Sequence, residues 1–106
     1  MTAFNVEFAP EAVQQLEALE DYIAGQGSPQ VAATYIDSIV EYCESLRSFP
    51  QRGVPRDDVR PGLRITHYRG SAIIAFAVID ATVYILGVFC GGQDYNAVLS
   101  VFADRR

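Results

Sequence analysis

The stretch that decides the fold is residues 63–90, which read LRITHYRGSAIIAFAVIDATVYILGVFC. Its first six residues alternate between apolar and more polar side chains, residues 72–79 are apolar throughout, and residues 83–90 are again mainly apolar. Arg69 with Gly70, and Asp80 with Ala81, separate these runs at places where a tight turn fits. The pattern predicts three consecutive antiparallel strands.

A strand and a helix are predicted at the N-terminus. Residues 4–8 (FNVEF) have the two-residue period of a strand with one buried face. Pro10 suits the first turn of a helix, where its missing N–H costs nothing, and Gly25 with Gly27 is expected to end that helix in a left-handed conformation. The apolar residues at helical spacing are Ala12, Leu16, Leu19 and Ile23.

A second helix is predicted from Ser28 and Pro29 to the stop at Phe49 and Pro50. The short connection between the two helices predicts an antiparallel helical hairpin. The apolar stripe of the second helix consists of Ala32, Tyr35, Ile36, Ile39, Cys43 and Leu46, and Val40 broadens it.

The element order βααβββ predicts a single α+β domain over residues 1–106, with the helical hairpin on one face of a mainly antiparallel sheet. Residues 51–61 are expected to form an irregular loop. A strand that is apolar at every position needs cover on both of its faces, and the hairpin can cover only one. The other face is predicted to be covered by the loop, the C-terminal segment or a second copy of the chain, or else by a dedicated protein partner.

Charge is distributed unevenly along the chain, whose net charge is −5. Residues 1–46 contain eight acidic side chains and no basic one, whereas residues 47–69 contain six arginines and two aspartates. There is no lysine, so the basic region is suited to forked contacts with carboxylate or phosphate. The arginines either offset the acidic helices or recognise an acidic partner segment or nucleic-acid phosphate. The overall acidity disfavours nucleic acid.

No catalytic centre is evident in the sequence. The single histidine, His67, is predicted to face the core with Leu63 and Ile65, because the three share one side of a strand. Arg64 and Tyr68 could orient a phosphate, but they do not form an acid and base pair. We expect no catalytic residue, no metal site and no cofactor.

The two cysteines, Cys43 and Cys90, lack metal-ligand or redox-motif spacing and are predicted to be buried thiols. No stretch approaches the roughly 18 uninterrupted apolar residues of a membrane span, and residues 1–4 do not resemble a signal peptide. The sequence therefore predicts a cytoplasmic protein.

Five segments together resemble the RelE/ParE toxin superfamily. They are residues 8–16 (FAPEAVQQL), 25–39 around Ser28 and Pro29, 49–53 (FPQRG), 56–64 (RDDVRPGLR) and 88–95 (VFCGGQDY). Three elements within the fourth and fifth segments are similar to the ParE branch: Arg-Asp-Asp, Pro-Gly-Leu-Arg and Gly-Gly-Gln-Asp-Tyr.

The resemblance implies the toxin of a type II toxin–antitoxin module, neutralised by a ParD-like antitoxin whose flexible acidic tail wraps it. ParE-like toxins poison DNA gyrase, and the RelE-like branch cuts messenger RNA on the ribosome. Arginines that nuclease relatives carry align with Ile73 and with the pair Gly91 and Gly92, which favours a gyrase poison without its own catalytic site. A ribosome-dependent endoribonuclease and a non-toxic antitoxin-binding relative are the alternatives.

The candidate residues for binding the antitoxin or the target are drawn from the arginine-rich region and from the segment after the last strand. They are Arg56, Arg60, Arg64, Tyr68, Arg69, Gln93, Asp94 and Tyr95.

Overall fold

A computed structural model describes residues 4–69 and 72–90 of the chain. The elements are β1 (Asn5–Phe8), α1 (Pro10–Gln26), α2 (Pro29–Ser45), β2 (Val54–Pro55), β3 (Leu63–Tyr68), β4 (Ala72–Ile79) and β5 (Thr82–Cys90). This confirms the predicted α+β architecture with a strand, a helical hairpin and three consecutive antiparallel strands. Among these described helices, none combines the length and apolar character needed to cross a bilayer.

The sheet has five strands in the order β1-β5-β4-β3-β2 and is mixed. β3, β4 and β5 pair antiparallel, while β1 pairs parallel to β5, with Phe8 opposite Ile85. Because β3 is antiparallel to β4 and β4 is antiparallel to β5, both β3 and β5 run in the same direction as β1. β2 lies inside the segment predicted to be an irregular loop, and Pro55 is tolerated there because β2 is an edge strand.

Local signals explain where the helices begin and end. Pro10 and Pro29 occupy first-turn positions, and the hydroxyl of Ser28 accepts a 3.3 Å hydrogen bond from the Val31 N–H. The prediction of a left-handed glycine after α1 was wrong, because Gly27 has φ of −173°. Its N–H instead bonds to the carbonyl of Ala24 at 3.4 Å, which closes a tight last turn.

The main core lies between the hairpin and one face of the sheet. α1 and α2 contribute a stripe of fully buried side chains, and β4 and β5 contribute the facing residues. Cys43 is buried in this core as predicted, and burial, reinforced by the charge of Glu44, raises the pKa of its thiol to about 12. The buried residues of this core include Ala12, Leu16, Ile39, Leu46, Ile74, Phe76, Val83 and Ile85.

A smaller core covers part of the opposite face of the sheet. Leu63, Ile65, Ala75 and Phe89 are buried there, and Val59 from the segment after β2 packs against them. The prediction that β4 needs cover on both faces is therefore confirmed, and the loop provides part of that cover. At the end of β4, Ile79 stays 54% exposed.

His67 is exposed, so the prediction that it faces the core was wrong. It shares the strand face of Leu63 and Ile65, but those two side chains lie under the loop, whereas His67 lies nearer the end of β3. The strand is buried on both faces along most of its length, since Thr66 and Tyr68 are buried on the helix side. Simple alternation therefore did not identify a single core face.

Candidate partner-binding site

Arg64, on β3, connects this strand to the segment that follows α2. Its Nε donates a 3.2 Å hydrogen bond to the carbonyl of Arg52, and its terminal nitrogen bonds to the carbonyls of Gln51 and Gly53. Three carbonyls at the start of the arginine-rich region are thus held by one guanidinium. This predicted site residue positions the loop, and its donors are directed at the protein's own backbone.

Arg56 and the two neighbouring aspartates form a compact turn. The guanidinium of Arg56 donates to both carboxylate oxygens of Asp58, at 2.9 and 3.0 Å, and this pairing holds the pKa of Asp58 below its usual value. Asp57 accepts a 2.9 Å hydrogen bond from the N–H of Gly62, whose φ of +82° suits glycine. Both aspartates therefore stabilise the arginine-rich loop.

Tyr68 and Arg69 lie at the end of β3. Tyr68 is buried, and its ring packs against that of Tyr42 with centroids 5.1 Å apart. The Arg69 guanidinium lies over the Tyr68 ring, 5.2 Å from the ring centroid. Tyr68 therefore supports the surface from beneath, and Arg69 is the exposed member of the pair.

The remaining predicted residues are less closely grouped. Arg60 is half-buried on the segment between β2 and β3, where its N–H bonds to the carbonyl of Arg56 at 3.2 Å. Gln93, Asp94 and Tyr95 lie outside the described residues. The structure thus places Arg56, Arg60 and Arg64 along one loop and its anchoring strand.

Three residues that were not predicted complete a row of rings and guanidinium groups. The Arg52 guanidinium lies over the rings of both Tyr42 and Phe49, 5.3 Å from each centroid. Tyr42 also shares a 2.9 Å hydrogen bond with the hydroxyl of Thr66 on β3. The row runs from Phe49 through Arg52, Tyr42 and Tyr68 to Arg69, along the junction of α2 and β3.

A weak sequence signal could have indicated this row. Tyr35, Ser38, Tyr42 and Ser45 recur at helical spacing beside the apolar stripe of α2, which marks a second, amphipathic face. Arg52 belongs to the FPQRG segment, but nothing in its position along the chain indicated that it would contact two aromatic rings.

The described residues around Ile73 on β4 do not form an acid and base pair. Ile73 lies opposite His67 on β3 and opposite Phe89 on β5, in largely apolar surroundings. Across residues 4–69 and 72–90, no group of three or more histidine, cysteine, aspartate or glutamate side chains could hold a metal ion. The described site can bind carboxylates or phosphates through arginine, and it offers large rings for packing.

Comparison with known proteins agrees with this fold. The family model described as the ParE toxin of the type II toxin–antitoxin system parDE matches residues 6–95. The chain therefore belongs to the ParE toxin family of type II toxin–antitoxin systems. No curated protein sequence matches it significantly.

Three solved structures share the fold. A chain of the chromosomal ParDE system from P. aeruginosa has a TM-score of 0.71 and 24% identity, covering 83% of this chain and 96% of its own. A chain of the RelBE2 toxin–antitoxin complex from Mycobacterium tuberculosis has a TM-score of 0.60 and 24% identity, covering 88% and 97%. A mutant of the toxin RelE from E. coli in the free state has a TM-score of 0.66 and 16% identity, covering 98% and 100%.

Proposed function

We propose that this toxin is neutralised by a cognate ParD-like antitoxin in the cytoplasm and that, once released, it inhibits DNA gyrase without a catalytic site of its own. The match to the ParE family over residues 6–95 supports the toxin role. Two of the similar structures come from toxin–antitoxin systems, which supports an antitoxin as the first partner.

The gyrase proposal depends mainly on one observation: Arg56 and Arg64 already bond to other groups of the protein itself. A nuclease needs an acid, a base and free donors converging on one phosphate. Arg64 donates to three backbone carbonyls, and Arg56 pairs with Asp58. Ile73, where nuclease relatives place an arginine, packs among apolar side chains. These residues suit a toxin that acts by binding a protein target and does not itself cleave a nucleic acid.

The second candidate is a ribosome-dependent endoribonuclease of the RelE type. The RelE structure from E. coli covers 98% of this chain, so the scaffold is compatible with that activity. The residues that would serve it are Arg64 and Tyr95. A relative that binds the antitoxin but is not toxic is the third possibility.

Controlled expression in a bacterial host separates the three. The proposal predicts growth arrest with intact transcripts and induction of the DNA-damage response, and co-expression of the adjacent short reading frame should restore growth. Cut transcripts that become intact in a Tyr95→Phe variant would instead establish the nuclease. Normal growth at high expression would leave only the non-toxic relative.

A further inference from the structure

A groove lined by apolar and acidic side chains lies along the helical hairpin. Its volume is about 250 Å³, and residues of β1, α1 and α2 line it. Val13 is 41% exposed there, so an apolar surface of the hairpin faces solvent. The lining residues include the apolar Phe8, Val13, Leu16 and Ile36 and the acidic Glu17 and Glu20.

The two carboxylates of the groove can accept a cation. Neither Glu17 nor Glu20 has a hydrogen-bond or ion-pair partner among residues 4–69 and 72–90. The helices α1 and α2 contain no basic residue, so the hairpin itself offers them no counter-charge. The groove therefore suits a ligand that combines apolar side chains with positive charge.

A stretch with this composition follows the last strand. The chain continues beyond Cys90, where β5 ends, and residues 98–106 read VLSVFADRR. The first five residues of this C-terminal stretch are mainly apolar, and Arg105 with Arg106 outweighs the one acid between them. The match to the ParE family covers residues 6–95 and does not include the stretch.

The connecting residues are long enough to bring the C-terminal stretch to the groove. Phe8 lines the groove and pairs with Ile85, which precedes Cys90 by five positions on β5. That separation is about 16 Å along the strand. Residues 91–97 can span up to about 23 Å, and the Gly-Gly pair that begins them permits a sharp change of direction. A tether of this length raises the effective concentration of the stretch at the groove.

Two further clefts among the described residues carry the opposite charge. Arg52 lines the cleft after α2, and Arg69 lines the cleft beside the start of α2 together with mainly polar side chains. A guanidinium there repels the arginines of the C-terminal stretch, whereas carboxylates attract them. Charge and apolar lining together favour the hairpin groove.

We propose that the C-terminal stretch, residues 98–106, docks in the hairpin groove of its own chain. Its apolar side chains cover Val13 and Leu16, and its guanidinium groups pair with the carboxylates of Glu17 and Glu20. The groove is then closed to other molecules while the stretch occupies it. The contact lies within the chain and does not depend on which cellular target the toxin has.

Tryptophan fluorescence of the full chain tests the docking. The chain contains no tryptophan, so Phe102→Trp places a single reporter in the C-terminal stretch. Its emission should be blue-shifted and protected from acrylamide quenching, relative to the same variant unfolded in denaturant. Adding Val13→Glu should lower the docked population about tenfold and shift the emission to the red, because an unpaired charge is costly to bury.

Val31→Glu is the matched control for the groove. It makes the same change at a valine that is 60% exposed on α2 and lines a different cleft, so the emission should stay blue-shifted. The charge contribution is tested by replacing Glu17 and Glu20 with glutamine. This double change should lower the docked population about twofold or more, whereas the same change at the exposed Glu41 and Glu44 should have no effect.

Several results would overturn the proposal. Emission from folded Phe102→Trp that matches the unfolded chain would exclude docking. A red shift in Val31→Glu as large as that in Val13→Glu would exclude the groove as the site. A blue shift that grows with protein concentration would show that a second copy supplies the stretch.

Chemical-shift differences between the parent protein and Phe102→Trp give a readout without any substitution in the groove. The indole ring should shift the resonances of Val13 and Leu16. Differences confined to other parts of residues 4–69 and 72–90 would contradict the docking site.

Discussion

The side-chain amide oxygen of Gln15, on α1, accepts a 2.7 Å hydrogen bond from the backbone N–H of Val88, on β5. The bond lies at an irregularity in the sheet: Ala75 pairs with Gly87 and Phe76 with Ile85, so Leu86 has no partner in the register. A bulge disrupts the ladder locally, and here the helix supplies an acceptor for a strand N–H. Gln15 therefore joins the hairpin to the sheet through a polar contact.

Replacing Gln15 by Met should reduce the free energy of unfolding by about 1–3 kcal/mol, because it leaves the partly buried Val88 N–H without its acceptor. Chemical denaturation provides the measurement. Gln14→Met is the control, since Gln14 is the adjacent exposed residue of the same type on the same helix. Equal stability of the two variants would show that the Gln15 bond contributes nothing.

Gly53→Ala should destabilise the protein by roughly 2 kcal/mol or more, through backbone strain and a steric clash. Gly53 has φ of +85°, and a Cβ atom there would lie 2.3 Å from the carbonyl oxygen of Ile65. Gly25→Ala in α1 is the matched control, because a Cβ meets nothing within 4 Å there. That variant should gain up to about 1 kcal/mol, since alanine is the better helix former. Thermal melts that show the same shift for both variants would contradict the assigned loop geometry.

Arg64→Lys should retain the positive charge but lose the forked contacts to the carbonyls of Gln51, Arg52 and Gly53. We expect a stability loss of about 1–3 kcal/mol and faster proteolytic cleavage within residues 50–54. Arg69→Lys should leave both properties nearly unchanged, because the side chain of Arg69 is exposed and contacts the Tyr68 ring alone among the described groups. Full stability of Arg64→Lys combined with lost toxicity would instead point to a phosphate ligand.

Cys43 should make stability fall with rising pH in the alkaline range. Burial raises the pKa of the folded thiol from 9.0 to about 12, so the unfolded chain releases this proton first. The stabilising contribution is complete below pH 9 and is lost as the pH rises towards 12. Chemical denaturation can be measured from about pH 8 to about pH 11, where a thiol ionises. The free energy of unfolding should fall more steeply over this range in the parent protein than in Cys43→Ala. An equal fall in the free energy of unfolding in both proteins would contradict the raised pKa of the Cys43 thiol.

The sequence predicted those parts of the fold that depend on local patterns. The turn after Ile79 and the start of α2 at Ser28 follow from residue types within a few positions of each other. The parallel pairing of β1 with β5 depends on residues more than 70 positions apart, and no local pattern specifies it. The hydrogen bond between Gln15 and Val88 also joins residues far apart in the sequence, and no local pattern specifies it.

The candidate partner-binding site was predicted only in part, because its geometry also depends on contacts between distant parts of the chain. An arginine-rich loop is visible in the sequence, but the role of each arginine depends on which acceptor lies nearby. Arg56 meets Asp58 two residues away, whereas Arg64 meets the carbonyl of Gln51, thirteen residues earlier. Arg52 could not be distinguished from its neighbours before the positions of Tyr42 and Phe49 were known.

The most direct test of the central claim uses purified gyrase, supercoiled plasmid, ATP and the purified toxin. If the toxin acts by binding gyrase, linear DNA should accumulate in proportion to the toxin, only when gyrase is present, and pre-incubation with the antitoxin should prevent it. Supercoiling and religation that proceed unchanged at a toxin concentration sufficient to arrest growth in cells would contradict the claim.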